Sequence, residues 1–208
     1  MQVITYIVGM IKMVDANQTS EKIIAAFLEL VQEKGYKGTT TRAISEKAKI
    51  NEVTIFRHFG NKKGIIKAAV QAFSNRMQLL PIIEHDMTWD LESDLLTIAK
   101  LYHSFVTKYE ALILIGIRET VDFPKINEEV AQIPIKLKTI IINYLSEMKK
   151  RGKIAENINI EIQAMNFIWL NFGYFLTQTR FRNTELKIPE ETFFKESIIF
   201  FAEALKAQ

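Results

Sequence analysis

The stretch from Thr39 to Lys63, TTTRAISEKAKINEVTIFRHFGNKK, holds two short helical patterns divided by one three-residue turn, an arrangement that few folds accept. From Thr41 to Ala48, the positions Ala43, Ile44 and Ala48 share one helical face, and Arg42, Glu46 and Lys47 lie elsewhere. After Lys49 and Ile50, Asn51 is suited to cap a second helix through its side-chain oxygen. In that helix Ile55, Phe56 and Phe59 are expected to form the buried stripe, with Glu52, Val53, Thr54, Arg57 and His58 outward. Ser45 and Ala48 are small enough for a close crossing. Two helices of about two turns joined this tightly match the helix-turn-helix, whose second helix lies in a DNA major groove.

The flanking residues extend this pair into a small helical unit. Ile23, Ala26, Phe27, Leu30 and Val31 recur at helical spacing between Thr19 or Ser20 and Glu33 or Lys34, and Gly35 ends the run. Thr39 or Thr40 supplies a hydroxyl cap for the next helix. Phe27, Ile44, Ile55 and Phe59 are the expected core. A fourth helix is expected to start near Asn61, continue through Ile65, Ile66, Ala69, Phe73 and Met77 to about Leu80, and close at Pro81. Residues 18–76 carry 11 Lys and Arg against 5 Asp and Glu, whereas residues 77–208 carry 15 against 18. A basic surplus confined to the motif-bearing part is the charge distribution of a unit that meets a polyanion.

The remainder shows no alternation long enough for a sheet, so the fold class is all-α, with about nine helices. The later helices are expected over Asp90 to Lys108, Glu110 to Val121, Lys125 to Arg151, Asn159 to Arg180 and Pro189 to Ala207. Asp122, Phe123 and Pro124 mark a break, and Pro134 is expected to kink or restart its helix. The division is an arm over 1–17, a helix-turn-helix domain over 18–64 with its motif at about 39–58, and a helical domain over 65–208. Within the arm, the apolar run Val3 to Val14 is interrupted by Lys12 and falls short of the ~20 residues that span a bilayer. It also lacks the pattern of a secretory signal, and Met10 and Met13 are alternative starts. With no Cys, the chain has no disulfide framework or thiolate metal site, and a cytoplasmic location is expected, with no membrane partner.

Catalytic and metal readings find little support. His58 has no neighbouring nucleophile or orienting carboxylate in its pattern. Glu84, His85 and Asp86 are metal-ligand types, but sequence neighbours rarely converge on one ion without further ligands, and His103 is too distant to form a motif with them. No phosphate-binding glycine loop, zinc-protease helix or nucleophile elbow occurs. No catalytic residue, metal or cofactor is expected.

The segment Thr40 to Lys62 resembles the DNA-binding signature of the TetR family of transcriptional regulators, through Thr40-Thr41-Arg42, Phe56-Arg57-His58-Phe59 and Asn61-Lys62. The resemblance covers residues 18–76 in detail and the rest in layout. It implies that Thr40, Thr41 and Arg42, at a helix start, meet phosphate. It implies that Asn51, Glu52, Val53 and Thr54 approach base edges, Val53 suiting a thymine methyl and Glu52 accepting from cytosine N4. Arg57 reaches a guanine or a phosphate. Phe56 and His58 match positions that contact the DNA backbone, and Lys62 one that meets phosphate. Two departures stand out: Phe56 replaces a common tyrosine and so lacks a phenolic hydroxyl, and Lys49 occupies a turn position where glycine is common, implying either left-handed strain or a turn with negative φ.

Ile160 to Leu176, IEIQAMNFIWLNFGYFL, is apolar almost all round and needs cover on two sides. Its own domain supplies one, and a second copy of the chain is expected to supply the other, through Phe167, Asn171, Tyr174, Phe175, Phe194, Ile198 and Phe201. Met77, Phe105, Tyr109, Met148, Asn166, Trp169 and Phe172 are candidates to line a pocket for a small apolar or aromatic effector. An amide such as Asn166 or Asn171 in so apolar a helix must find a partner in the backbone, a subunit or a ligand. The resulting expectation is a homodimeric, effector-responsive regulator, most simply a repressor, on a partly palindromic double-stranded DNA operator. The alternatives are a ligand-binding or dimerisation module without operator binding, or a helical enzyme.

Overall fold

The computed structural model describes residues 18–77, 87–118, 124–181 and 184–207. Regular structure among them is helical: α1 Gln18–Gly38, α2 Thr41–Ala48, α3 Glu52–Phe59, α4 Lys62–Met77, α5 Leu91–Lys108, α6 Glu110–Arg118, α7 Pro124–Lys150 and α8 Ile160–Arg180. The last helix, α9, joins an α turn Glu190–Phe193, a π segment Phe194–Ile199 and an α turn Phe200–Leu205. No strand occurs among the described residues, where one isolated bridge pairs Ile154 with Lys206. The N-terminal arm, the end of α4 near Leu80 and Pro81, the Glu84-His85-Asp86 cluster and the Asp122-Phe123 break lie outside the described residues. Packing divides the chain into two compact units, residues 1–77 with 111–129 and residues 78–110 with 130–208.

In the first unit, local chemistry sets each boundary. Gly35 (φ 72, ψ 166) breaks α1, and the Thr39 hydroxyl donates to its carbonyl at 2.9 Å. Thr40 caps α2, accepting from the Ala43 amide at 3.1 Å, and Asn51 caps α3, accepting from the Val53 amide at 2.9 Å. Lys49 takes the left-handed conformation (φ 54, ψ 49), so the turn bears the strain of a side chain there. Phe27, Ile44 and Ile55 are fully buried, joined by Ile65 and Phe73 of α4, and burial of each such side chain contributes about 1.5–3 kcal/mol. Phe59 is half-buried. At the α3–α4 corner a Cβ added to Gly64 would lie 1.8 Å from the Phe59 carbonyl oxygen, so only glycine allows this approach. The Lys47 ammonium bridges Glu29 at 3.0 Å and Glu33 at 2.7 Å, tying α2 to α1, and Ser74 of α4 donates to Glu129 of α7.

The second unit packs α5, the later turns of α7, α8 and α9 around Leu95, Ile98, Ile141, Leu145, Phe167 and Ile198. The helix α7 continues through Pro134 rather than restarting there. Ahead of α5, Trp89 adopts a positive φ of 61°, rare for so bulky a residue. Asp94 holds it in place by accepting from the Thr88 and Trp89 amides at 2.9 Å each, the Thr88 hydroxyl at 2.7 Å and the Tyr144 hydroxyl at 3.0 Å. The indole is sandwiched between the Tyr144 ring and the Arg151 guanidinium, the latter 3.7 Å from its centre.

The facing of α8 and α9 corrects the expected interface set. Phe167, Asn171, Phe175, Phe194, Ile198 and Phe201 are buried within their own chain, so they form no outward face on α8 or α9. Tyr174 is half-buried, stacked on Phe193 at 4.0 Å, with its hydroxyl donating to the Ile188 carbonyl. The reason is the buried pair His103 and Asn171: the His103 ring and the Asn171 carbonyl oxygen are 3.0 Å apart, and the Asn171 amide donates to the Phe167 carbonyl at 2.8 Å. An amide that needs both partners turns its face of α8 inward. The outward stripe is Ile162, Asn166, Trp169, Gly173 and Leu176, where Ile162 is 50% and Trp169 59% exposed. Trp169 therefore faces solvent and lines no interior pocket. Among the described residues, no helix is long and apolar enough to cross a membrane.

Candidate nucleic-acid interface

The eight residues of α3 divide by facing. Ile55 is fully buried, and on the opposite side Val53 is 69% and Phe56 49% exposed, with Arg57 beside them. Phe56 thus leaves the buried stripe in which its spacing from Phe59 had placed it, because one residue beyond Ile55 is a step of about 100° around the helix. Two apolar side chains left largely to water forgo much of the gain of burial, and the helix presents them between Asn51 and Arg57. On α2, Arg42 is extended and exposed, and its Nε pairs with Glu46 one turn on. Such an exposed i, i+4 pair is weak, which leaves the guanidinium free to exchange its partner for a phosphate.

Other expected contacts are engaged within the fold. The Thr41 hydroxyl donates to the Glu52 carboxylate at 2.6 Å, joining the starts of α2 and α3. The half-buried His58 places its Nδ1 3.2 Å from the Ser20 hydroxyl of α1. The Lys62 ammonium donates to the carbonyls of Tyr36 at 2.7 Å and Thr39 at 2.8 Å and sits 4.0 Å above the Tyr36 ring. Burial in this cradle draws its pKa below the ordinary lysine range. Thr54 is half-buried, and Thr40 is exposed while it caps α2. The arrangement is a hydrogen-bonded frame (Thr41, Glu52, His58, Lys62) beside an exposed edge (Asn51, Val53, Phe56, Arg57). No sequence pattern signals the bracing by Lys62, because its acceptors are backbone carbonyls.

The residues expected to line a pocket have partners within the chain. Phe105 and Tyr109 pair ring to ring at 5.1 Å, Met148 is fully buried, Asn166 donates to Gln163, and Phe172 lies against Phe175. The Met77 side chain lies outside the described residues.

Residues 23–69, which include the whole motif, match the bacterial regulatory proteins of the tetR family. Over 190 residues the chain is 32% identical to the HTH-type transcriptional regulator YvkB of Bacillus subtilis (strain 168), spanning 91% of this chain and 98% of that protein. The chain belongs to the TetR family of transcriptional regulators. Solved folds agree: a TetR-family transcriptional regulator from Agrobacterium tumefaciens superposes with a TM-score of 0.69 at 15% identity over 91% of this chain and 98% of that one. The fatty acid degradation regulator FadR from Bacillus halodurans does so with 0.67 at 14% identity, over 93% and 100%. At such identities the likeness concerns the fold alone. As a TetR-family protein the chain is a DNA-binding transcriptional regulator and not an enzyme.

Proposed function

We propose that the protein is a homodimeric repressor that binds a partly palindromic operator through α3 of each copy and is released by a small effector held in its second unit. The observation that carries the DNA reading is the outward pair Val53 and Phe56 on a helix whose opposite side holds the fully buried Ile55. Val53 suits a thymine methyl, Asn51 and Arg57 are hydrogen-bonding readers at the two ends of the edge, and Arg42 supplies a phosphate contact. Glu52, held by Thr41, accepts from cytosine N4 only in the register that the brace permits.

Pairing of copies is supported by the stripe Ile162, Trp169, Gly173 and Leu176 on α8, continued by Phe200 of α9, which is 67% exposed. Gly173 gives a close crossing point, and a stripe on one helix is self-complementary about a two-fold axis. The two-fold then sets the separation of the α3 helices and hence the half-site spacing. An effector releases DNA to the extent that it prefers a conformation in which that separation is wrong. A cytoplasmic location follows from this role.

Selection of bound fragments from genomic DNA, followed by footprinting and sedimentation, tests the reading. The expected result is a symmetric protected site occupied by two chains, with affinity falling steeply as salt rises. Trp169→Glu is expected to give a monomer with weakened operator binding. A monomeric wild-type chain, or equal affinity for selected and random duplexes, sinks the proposal.

A further inference from the structure

An open groove of about 540 Å³ in the second unit is lined by Lys100, His103, Ser104, Thr107 and Lys108 of α5 and by Glu190 and Phe194 of α9. Its size falls within the range of small-ligand sites. Two features set its chemistry. First, its charged lining is two ammonium groups against one carboxylate, with two hydroxyls between them on the same helix face. Second, the groove reaches a histidine that is 3% exposed and ringed by Tyr102, Tyr174, Phe193 and Phe194 at 5.3 to 5.7 Å between ring centres.

The tautomer of that histidine follows from heavy atoms alone. The Phe167 carbonyl can only accept, so the Asn171 atom facing it at 2.8 Å is the amide nitrogen. The Asn171 oxygen therefore faces His103, and Nε2, 3.0 Å from it, carries the ring proton. The Nδ1 atom is left as an acceptor, with no protein donor on it among the described residues. Burial lowers the pKa of the ring to about 4, and none of the facing groups (Lys100, Lys108, Glu190, Tyr102 and Tyr174) holds it protonated, so Nδ1 keeps its lone pair at neutral pH. With no protein donor among the described residues and not enclosed, Nδ1 is an acceptor within reach from a basic groove that His103 lines, and it suits a ligand that brings its own hydrogen-bond donor.

We propose that this groove binds a small aromatic hydroxy acid, with its carboxylate at the lysines and the Ser104 and Thr107 hydroxyls, its ring on Phe194 and its hydroxyl donating to His103 Nδ1. Glu190 on the rim disfavours a dianion, which restricts the class to monocarboxylates. The inference rests on the reading that the second unit carries the effector site.

The test is titration of the full-length protein, free of DNA, with 4-hydroxyphenylacetate, phenylacetate and tyramine. Binding is followed by calorimetry and by the imidazole signals of ¹⁵N-histidine-labelled protein, in which His103→Gln assigns the His103 pair among the three histidines. The expected result is saturable binding of 4-hydroxyphenylacetate at about 1 mM or tighter, with the His103 Nδ1 signal moving. Phenylacetate, without the hydroxyl, and tyramine, without the carboxylate, should each bind about tenfold more weakly. Lys100→Glu, on the surface and checked for an unchanged urea midpoint, should weaken the hydroxy acid about tenfold, and Glu190→Gln should tighten it about threefold. Absence of saturation at about 10 mM, a stationary His103 signal, or equal binding of the three probes overturns the proposal. Because no DNA is present, failure here leaves the operator reading standing, and failure to find an operator leaves the groove's ligand standing.

Discussion

The hydroxyl of Thr41 lies 2.6 Å from the Glu52 carboxylate, joining the first turns of α2 and α3 across eleven positions of sequence. The bond ties the carboxylate to the start of α2 and limits its freedom to swing. Thr41→Val should cost about 1 kcal/mol of stability, read as a lower urea midpoint. Glu52→Gln keeps an acceptor for Thr41 but adds a donor, so repeating the fragment selection should return a changed base preference at one position per half-site. An unchanged preference means that Glu52 does not reach a base.

Gly64 is a point of close backbone approach in the first unit. Gly64→Ala places a methyl where the Phe59 carbonyl stands, and neither backbone can yield cheaply. The expected loss is about 1–3 kcal/mol, with operator affinity falling in parallel because α3 is displaced. Chemical denaturation and a binding isotherm on the same preparation check both; a variant as stable as wild type contradicts the close packing.

Asp94 accepts four hydrogen bonds around Trp89 and Tyr144. Asp94→Ala strands two backbone amides and two hydroxyls and removes what offsets the positive φ of Trp89. A loss on the order of 3 kcal/mol is expected, larger than the ~1 kcal/mol for Tyr144→Phe, which removes one donor. Trp89 fluorescence should also shift to the red, since the sandwich with Arg151 loosens.

The acid limb of stability should carry the mark of His103. Its folded pKa of about 4 lies below the unfolded value, so as pH falls below about 6.5 the unfolded chain takes up a proton that the folded chain refuses. This contribution is complete above that range, declines as pH drops towards 4 and is then exhausted, with a total on the order of 3 kcal/mol. The urea midpoint measured from pH 8 to pH 4.5 should fall more steeply for wild type than for His103→Gln. Parallel curves refute the assignment.

Helix boundaries were legible in the sequence wherever a cap is local chemistry. Thr40, Asn51, Asp90 and Asn159 each accept from an amide two or three residues on, and such a pairing needs no knowledge of the rest of the chain. The motif was legible for the same reason. Facing was harder. In α8 apolar residues surround the axis, so periodicity carries no phase, and the inward side is chosen by Asn171 finding a histidine 68 positions away. Phe56 was assigned inward as an aromatic near Ile55, although the fold spends it on the outside. The bracing by Lys62, the Asp94 knot and the Gly64 contact depend on backbone atoms brought together by tertiary structure, for which side-chain patterns hold no record.

The cradle of Lys62 constrains how any message can arrive. Its ammonium grips the chain on both sides of the break between α1 and α2, and it does so from the opening turn of α4. The opening turn of α4 and the junction of α1 with α2 are therefore one piece, so a push on that turn is shared by the whole motif-bearing unit without first opening the junction. On the proposal that two copies grip one operator, release would be a matter of aim: the motif-bearing unit would keep its own melting behaviour while its distance from its twin drifted out of step with the pitch of the double helix.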